Sequence, residues 1–291
     1  MRAPCAARQL RPRRTRGGLH ILAAKARRRV GPAAGALARL FTVLLSLSLL
    51  AALLGAAPNT PPPQFRVTWL GHAGFEVVSP GGTRLLIDPW LKENPRAPAA
   101  WKDLAHLAQT PPAAILLTHS HGDHAQDVHA LARLSGAPVV GTGETLRWLK
   151  VPEAQQLTVN VGGSTRIGDV TVHAVPAMHS CEPDGRPLGY VLVLPGGRSL
   201  YHTGDTWLFG DMALVQELLH PDVVLLNVGG GRWGMDPRTA ALAVRKYFRP
   251  SVIVPMHFGT FEPLATEAEA REVLAADARV RWLTPGIPAS L

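Results

Sequence analysis

Cysteine is nearly absent. Cys5 and Cys181 are the only two in 291 residues, too few for a disulfide framework, so the fold must rest on a buried core. Acidic residues are missing altogether from residues 1–57, which hold eleven Lys and Arg. The remaining 234 residues carry 19 basic and 21 acidic side chains, so the formal charge of +9 belongs to the leader and the rest is close to −2. That balance excludes a basic nucleic-acid-binding surface as the meaning of the high net charge, and no nucleic-acid partner is expected. Short repeats and low-complexity tracts are also lacking after the leader. With 46% apolar and 18% charged residues the chain is not disordered, and the length beyond residue 57 suits one large domain with a full core.

What is present at the N-terminus has the layout of an export signal. Basic residues crowd positions 2–29, and residues 40–57, LFTVLLSLSLLAALLGAA, form an apolar run that ends in small residues. Eighteen such residues also approach the ~20 that span a bilayer, with the basic side retained in the cytoplasm. The reading divides the chain into a basic leader with a signal or anchor over residues 1–57, a proline-rich spacer over 58–64 and a folded domain over 65–291. It places that domain beyond the cytoplasmic membrane, released or anchored, with membrane association possible through residues 40–57.

From residue 65 the text alternates short β-rich runs with amphipathic ones. Strands are expected over residues 65–70, 75–78, 83–87 and 113–118, then over 171–175, 190–194, 199–202, 223–227, 251–255 and 280–283. Helices are expected over residues 127–134, 145–149, 212–219, 237–247 and 266–276. Two successive β-then-α halves predict an α/β fold of two packed sheets covered by helices.

Histidines carry the chemistry. Thr118-His119-Ser120-His121-Gly122-Asp123-His124 follows a continuous apolar run, as at the end of a buried strand. Three imidazoles and a carboxylate so close together would repel on protonation unless a cation organised them. If the strand continues, His119 and His121 point the same way, while Asp123 and His124 sit on the turn into a helix, offering two adjacent half-sites. His179, Asp205 and His257 each follow a further strand. Together these are seven nitrogen and oxygen donors, enough for two divalent ions, with zinc the first choice and manganese or iron the alternatives.

The order His119-x-His121-x-Asp123-His124, then His179, Asp205 and His257, resembles the metallo-β-lactamase superfamily. More narrowly it is similar to the metal-dependent hydrolase branch akin to the ascorbate-6-phosphate lactonases. Trp69-Leu-Gly-His72-Ala, Ile87-Asp88-Pro-Trp, His202-Thr-Gly-Asp205-Thr-x-Leu-Phe-Gly-Asp211-Met and Pro255-Met-His257-Phe-Gly point to that branch. The resemblance implies a four-layer αββα sandwich with metals at the sheet edges. It implies that His119, His121 and His179 hold one ion, that Asp123, His124 and His257 hold the other, and that Asp205 bridges them. A hydroxide between the ions would be the nucleophile, and Asp123 would also be catalytic as a proton acceptor.

Weaker candidates surround this set. Asp88 is expected to orient a ligand histidine, and His72 and His202 to touch substrate or support ligands. Asp127 is read as a support and His129 as surface. Cys181 stands where the branch commonly has Ser and is a minor ligand candidate. Residues 229–233, Gly-Gly-Gly-Arg-Trp, should form a flexible rim loop, and here the chain departs from the Phe-Thr-Met-like run of the branch. The expected activity is hydrolysis of an ester, lactone or phosphodiester in a small-molecule or lipid-like substrate. An iron-dependent redox enzyme on the same fold, or a metal-bound binding protein without turnover, are the other classes. Oligomeric state is not legible.

Overall fold

A computed structural model describes residues 64–291. The leader over residues 1–57, its apolar run 40–57 and nearly all of the spacer lie outside the described residues.

The first half opens with a meander, β1 (Arg66–Trp69), β2 (Phe75–Val78) and β3 (Arg84–Ile87), whose neighbours pair antiparallel. Crossovers then add β4 (Ala114–Leu116), β5 (Val139–Gly141) and β6 (Gln156–Thr158) in parallel. The second half repeats the scheme. β7 (Ser164–Ile167), β8 (Val170–Pro176), β9 (Leu188–Val193) and β10 (Ser199–His202) run antiparallel, and β11 (Val223–Asn227) and β12 (Val252–Met256) extend the sheet in parallel. A C-terminal strand, β13 (Pro288–Ser290), returns to the first sheet and pairs with β1. The orders are β13-β1-β2-β3-β4-β5-β6 and β12-β11-β10-β9-β8-β7.

Period-two patterning assigns the faces of the first sheet. Leu85, Ile87, Ala114, Leu116 and Val140 join the cluster shared with the second sheet. Their neighbours Leu86, Ile115, Leu117 and Val139 face the other way, against helical residues Leu104, Val128, Leu131 and Leu146. These belong to α1 (Leu104–Ala108), α3 (Val128–Ser135) and α4 (Gly143–Trp148); α2 (Gly122–Ala125) is a single turn before α3. On the second sheet, α5 (Met212–Leu219), α6 (Pro237–Tyr247) and α7 (Glu267–Leu274) contribute Met212, Ala240, Val244 and Leu274 to the larger cluster. The layers are helix, sheet, sheet, helix: the αββα sandwich. Both central parallel strands, β4 and β11, are buried throughout, which is why they read as unbroken apolar runs.

Local signals place the helix ends. Asp236 accepts from the Thr239 amide with Pro237 in the first turn of α6, Thr266 and Glu269 form a reciprocal capping box on α7, and Gly136 closes α3 in the left-handed region.

Several expectations need correction. Residues 280–283 form no strand; Val280 makes an isolated bridge to Ile253 of the second sheet, and the last strand of the chain is β13, at the edge of the first sheet. Strand β4 stops at Leu116, so His119 and His121 do not continue it; His121 is the N-cap of α2. The glycine loop is less free than expected, because Gly229 and Gly230 are buried and only residues 231–233 are exposed. Among the described residues no helix is long and apolar enough to cross a membrane. Of those helices α6 is the longest, with 11 residues, or ~16 Å against a ~30 Å hydrocarbon core.

Candidate metal centre

All the candidate ligands lie where strands or their following loops end on one edge of the sandwich. The loop after β4 carries Thr118, His119 and His121, and α2 carries Asp123 and His124. It is pinned from the second sheet: the Leu188 amide donates to the Thr118 carbonyl at 2.9 Å, and the buried Tyr190 hydroxyl donates to the Leu117 carbonyl at 2.7 Å. His179 follows β8, Asp205 follows β10 and His257 follows β12. His72, Asp88 and His257 have φ of 54°, 43° and 65°. Such left-handed backbone costs of order 1–3 kcal/mol per residue and concentrates at functional sites.

The donors fall into overlapping groups. His119, His121 and His179 bring one ring nitrogen each within 4.8 Å of one another; His72, Asp123, His124 and His257, and likewise His119, His124 and Asp205, do the same with one ring nitrogen from each histidine and one carboxylate oxygen from the aspartate. His121 Nδ1 is 3.0 Å from His119 Nε2 and 3.2 Å from His179 Nε2. His124 Nε2 is 3.4 Å from His257 Nε2. Asp205 Oδ2 lies 2.9 Å from His257 Nε2, 3.5 Å from His124 Nε2 and 3.7 Å from His179 Nε2, so one oxygen reaches across the cluster.

Tautomers follow from the outer contacts. Asp88 is fully buried, and its carboxylate only accepts. Oδ1 accepts from the Thr118 amide at 2.8 Å, and Oδ2 from the Thr118 hydroxyl at 2.6 Å and His124 Nδ1 at 2.8 Å. With its proton committed to Asp88, the Thr118 oxygen accepts from His119 Nδ1 at 3.0 Å. One carboxylate therefore orients two imidazoles, and both turn Nε2 toward the cluster. Asp205 is steadied through Oδ1, which accepts from Asn227 Nδ2 at 3.0 Å. His72 Nε2 donates to Asp123 Oδ2 at 3.0 Å, and its Nδ1 faces the Thr260 hydroxyl at 3.0 Å.

Charge follows the same geometry. Burial, with the neighbouring His257, pushes His72 down to about 3, so it stays neutral. Burial, helped by His124, holds His119 well below the ordinary histidine value, and burial also lowers His179. Burial would likewise lower His124, but Asp205 and Asp88 on either side raise it well above that value. Burial alone would raise both acids. The hydrogen bond from His72 and the nearby imidazoles hold Asp123 well below the carboxylate range, and His257 and His124 do the same for Asp205. Two ionised carboxylates thus face imidazole nitrogens that lie 3.0–3.4 Å from each other, too crowded for hydrogen bonds to satisfy them all. This donor set suits divalent cations of the zinc, manganese or iron type.

The remaining candidates divide. His202 is fully buried outside the cluster: Nδ1 accepts from the Gly204 amide at 3.1 Å and Nε2 donates to the Ala73 carbonyl at 2.9 Å. Both ring nitrogens are taken up by backbone, so the structure gives it neither substrate nor ligand to touch. Asp127 accepts from the Leu91 and Lys92 amides and fastens the loop that follows Asp88. His129 is half-buried, with Nδ1 at 3.1 Å from the Leu149 carbonyl oxygen, rather than free surface. Cys181 Sγ lies 3.4 Å from the Ser120 and Thr145 hydroxyls, in none of the ligand groups. Sequence reasoning missed Thr118, Asn227 and Thr260 as supports; a threonine beside the first histidine and an asparagine ending an apolar strand were the available signals.

The centre sits below a cavity of about 190 Å³ lined by His121, Asp123, His179, Asp205, Trp233, His257 and Phe261. Comparison with known proteins places this arrangement. Residues 83–258 match the model of the beta-lactamase superfamily domain. A UPF0173 metal-dependent hydrolase of Anaeromyxobacter sp. (strain K) is 42% identical over 251 residues, covering 80% of this chain and 89% of that protein. The chain belongs to this hydrolase family. Another member, from Pyrobaculum arsenaticum, is 40% identical over 228 residues, which make up 97% of its length and 76% of this chain. Among solved structures, Igni18, a metallo hydrolase from Ignicoccus hospitalis, matches with a TM-score of 0.69 and 32% identity over 78% of this chain and 98% of its own.

These family members also correct the expected location. The Pyrobaculum protein is accounted for almost entirely by a stretch the size of the folded domain, with no length left for a leader and anchor. No described helix crosses a membrane either. Export or anchoring of the domain, with the signal-peptide and membrane character inferred from charge asymmetry, is therefore withdrawn.

Proposed function

We propose that this chain is a dinuclear metal-dependent hydrolase that cleaves an ester, lactone or phosphodiester bond. The observation that carries the reading is Asp205 Oδ2, which lies within 3.7 Å of ligand nitrogens from both half-sites. His119, His121 and His179 would hold one ion, Asp123, His124 and His257 the other, and Asp205 both. Zinc is the first choice. When bound, the ions would supply Lewis acidity and a water acidic enough to attack near neutral pH.

The chain's own groups do the rest. Asp88 keeps the protons of His124 and, through Thr118, of His119 on the outer nitrogens, so that the inner ones can bind. His72 fixes Asp123 Oδ2 and so holds at the cavity wall a carboxylate that stays ionised at working pH and would serve as the proton acceptor. Trp233 and Phe261 supply the apolar part of the cavity wall.

A hydrolysis screen tests the reading: protein stripped of metal and reconstituted with zinc or manganese, assayed on lactones, carboxylic esters and phosphodiesters. Turnover of at least one class should appear only with metal. Asp123→Asn should retain metal while losing about 10²–10⁴-fold in rate, since an amide oxygen can ligate but cannot take up a proton. Absence of turnover across all three classes, or full activity in Asp123→Asn, would overturn it.

A further inference from the structure

The floor of the cavity is made of ligands, but its wall is not. Trp233 and Phe261 are 42% and 40% exposed at its mouth, with ring centroids 6.2 Å apart in a T-shaped arrangement. Phe261 continues the wall onto His72 at 5.6 Å and Trp90 at 6.4 Å. Trp233 is held there by backbone: its amide donates to the Gly230 carbonyl at 3.2 Å, and Gly230 and Gly231 have φ of 56° and 64° in a turn pressed against Asp236 and Pro263. Two half-exposed aromatic rings presented by a constrained turn beside reactive groups form a recognition surface rather than core.

No lysine or arginine is among the cavity's seven lining residues. Arg232 is exposed without lining it, and Arg186 lines a separate hollow beyond His179. A phosphate-bearing substrate would therefore have only the bound metals to offset its charge, with no guanidinium or ammonium from this chain to help hold it. The volume, about 190 Å³, is also below the ~300–1,000 Å³ of pockets for drug-sized ligands, enough for a reacting group with one ring beside it.

From these features we infer that the substrate is a carboxylic ester or lactone, uncharged around the scissile bond, whose flat apolar substituent packs against the wall that Trp233 and Phe261 form together. The inference rests on the hydrolytic reading above and narrows it. Water would add across the acyl C–O bond: that bond breaks, the acyl carbon gains OH and the alkoxy oxygen gains H. Trp233 and Phe261 are specificity-determining residues in this account, acting on the substituent and not on the bond.

The test compares γ-phenyl-γ-butyrolactone with γ-butyrolactone on zinc-reconstituted protein by titration of released acid, with bis(p-nitrophenyl) phosphate as the charged arm. The ratio of kcat/KM for the phenyl lactone over the parent should be about tenfold or more, and Trp233→Ala and Phe261→Ala should each pull it down severalfold toward one. Leu218→Ala, at an exposed site on α5, should leave the ratio in place. Calorimetric binding of the product acids, 4-hydroxy-4-phenylbutanoate against 4-hydroxybutanoate, reads the same preference without turnover. Hydrolysis of both lactones with a ratio near one, or a ratio indifferent to Trp233→Ala, overturns the inference and leaves the hydrolase reading standing. Faster turnover of the phosphodiester than of either lactone also overturns it. Failure to hydrolyse any of the three, together with product binding that prefers the phenyl acid only when Trp233 is present, would sink hydrolysis of these classes and retain the aromatic site.

Discussion

Asp88→Asn isolates the group on which the ligand tautomers depend. Asparagine tolerates the left-handed backbone at this position (φ 43°) as well as aspartate does, so the change acts on hydrogen bonding and charge. With Oδ1 kept for the Thr118 amide, the new Nδ2 faces two donors, the Thr118 hydroxyl and His124 Nδ1. Two charge-assisted bonds in a fully buried place are lost, at ~1.5–3 kcal/mol each, or about 3–6 kcal/mol of stability. To escape the clash, His124 must move its proton to Nε2, which removes a lone pair from the cluster. Supporting residues of this kind typically change metal affinity by about 10–100-fold. Thr118→Val is the milder companion: it removes one of those bonds and frees His119 without touching His124, so about half the stability loss is expected. Melting curves of metal-free protein and competitive zinc titration would measure both effects. Asp88→Asn with a zinc affinity within about twofold of the parent would refute the orienting role.

Two further outcomes follow from the same contacts. A methyl group on Gly229 would overlap the His257 carbonyl oxygen and lie 2.7 Å from its Nδ1, a buried nitrogen with no partner. Gly229→Ala should therefore displace His257, lowering stability by about 1–3 kcal/mol and weakening zinc binding; a variant that titrates and melts like the parent would contradict that packing. The stability of metal-free protein should peak near pH 6.5. Below that pH the unfolded chain binds protons that the folded His72, His119, His179 and His202, all lowered by burial, refuse, at about 1.4 kcal/mol per pH unit per proton. Above it the stabilisation from His124, raised by Asp205 and Asp88, is lost as the pH climbs through its folded value. A melting temperature highest at pH 5 would be the wrong sign.

How much was legible depended on how far apart in sequence the partners lie. His119, His121, Asp123 and His124 sit within six positions behind an apolar run, so their convergence could be read directly. The layer order could also be read, because β4 and β11 are buried on both faces and the helices carry ordinary caps. Hidden were the contacts that strand order within each sheet creates between distant segments: His72 against Asp123 across 51 residues, Asn227 against Asp205, and β13 beside β1. β13 has three residues beginning with Pro288, and β5 has three ending in Gly141, too short for a period to show. His202 looked like its neighbours in sequence, yet the chain folds it beneath Ala73 and ties both nitrogens to backbone. The leader misled on location because charge asymmetry before an apolar run is a compositional signal, whereas the length of the Pyrobaculum relative matches the domain itself.

The central claim is that Asp205 joins two cation sites. Equilibrium titration of metal-free protein with zinc, followed by elemental analysis after removal of free ion, tests it most directly when parent and Asp205→Ala are measured side by side. The account predicts two equivalents in the parent, and a loss of retention at both sites in the variant, because one carboxylate oxygen lies within 3.7 Å of ligands in each half-site. A parent that saturates at one equivalent, or an Asp205→Ala protein that still retains two, would contradict it.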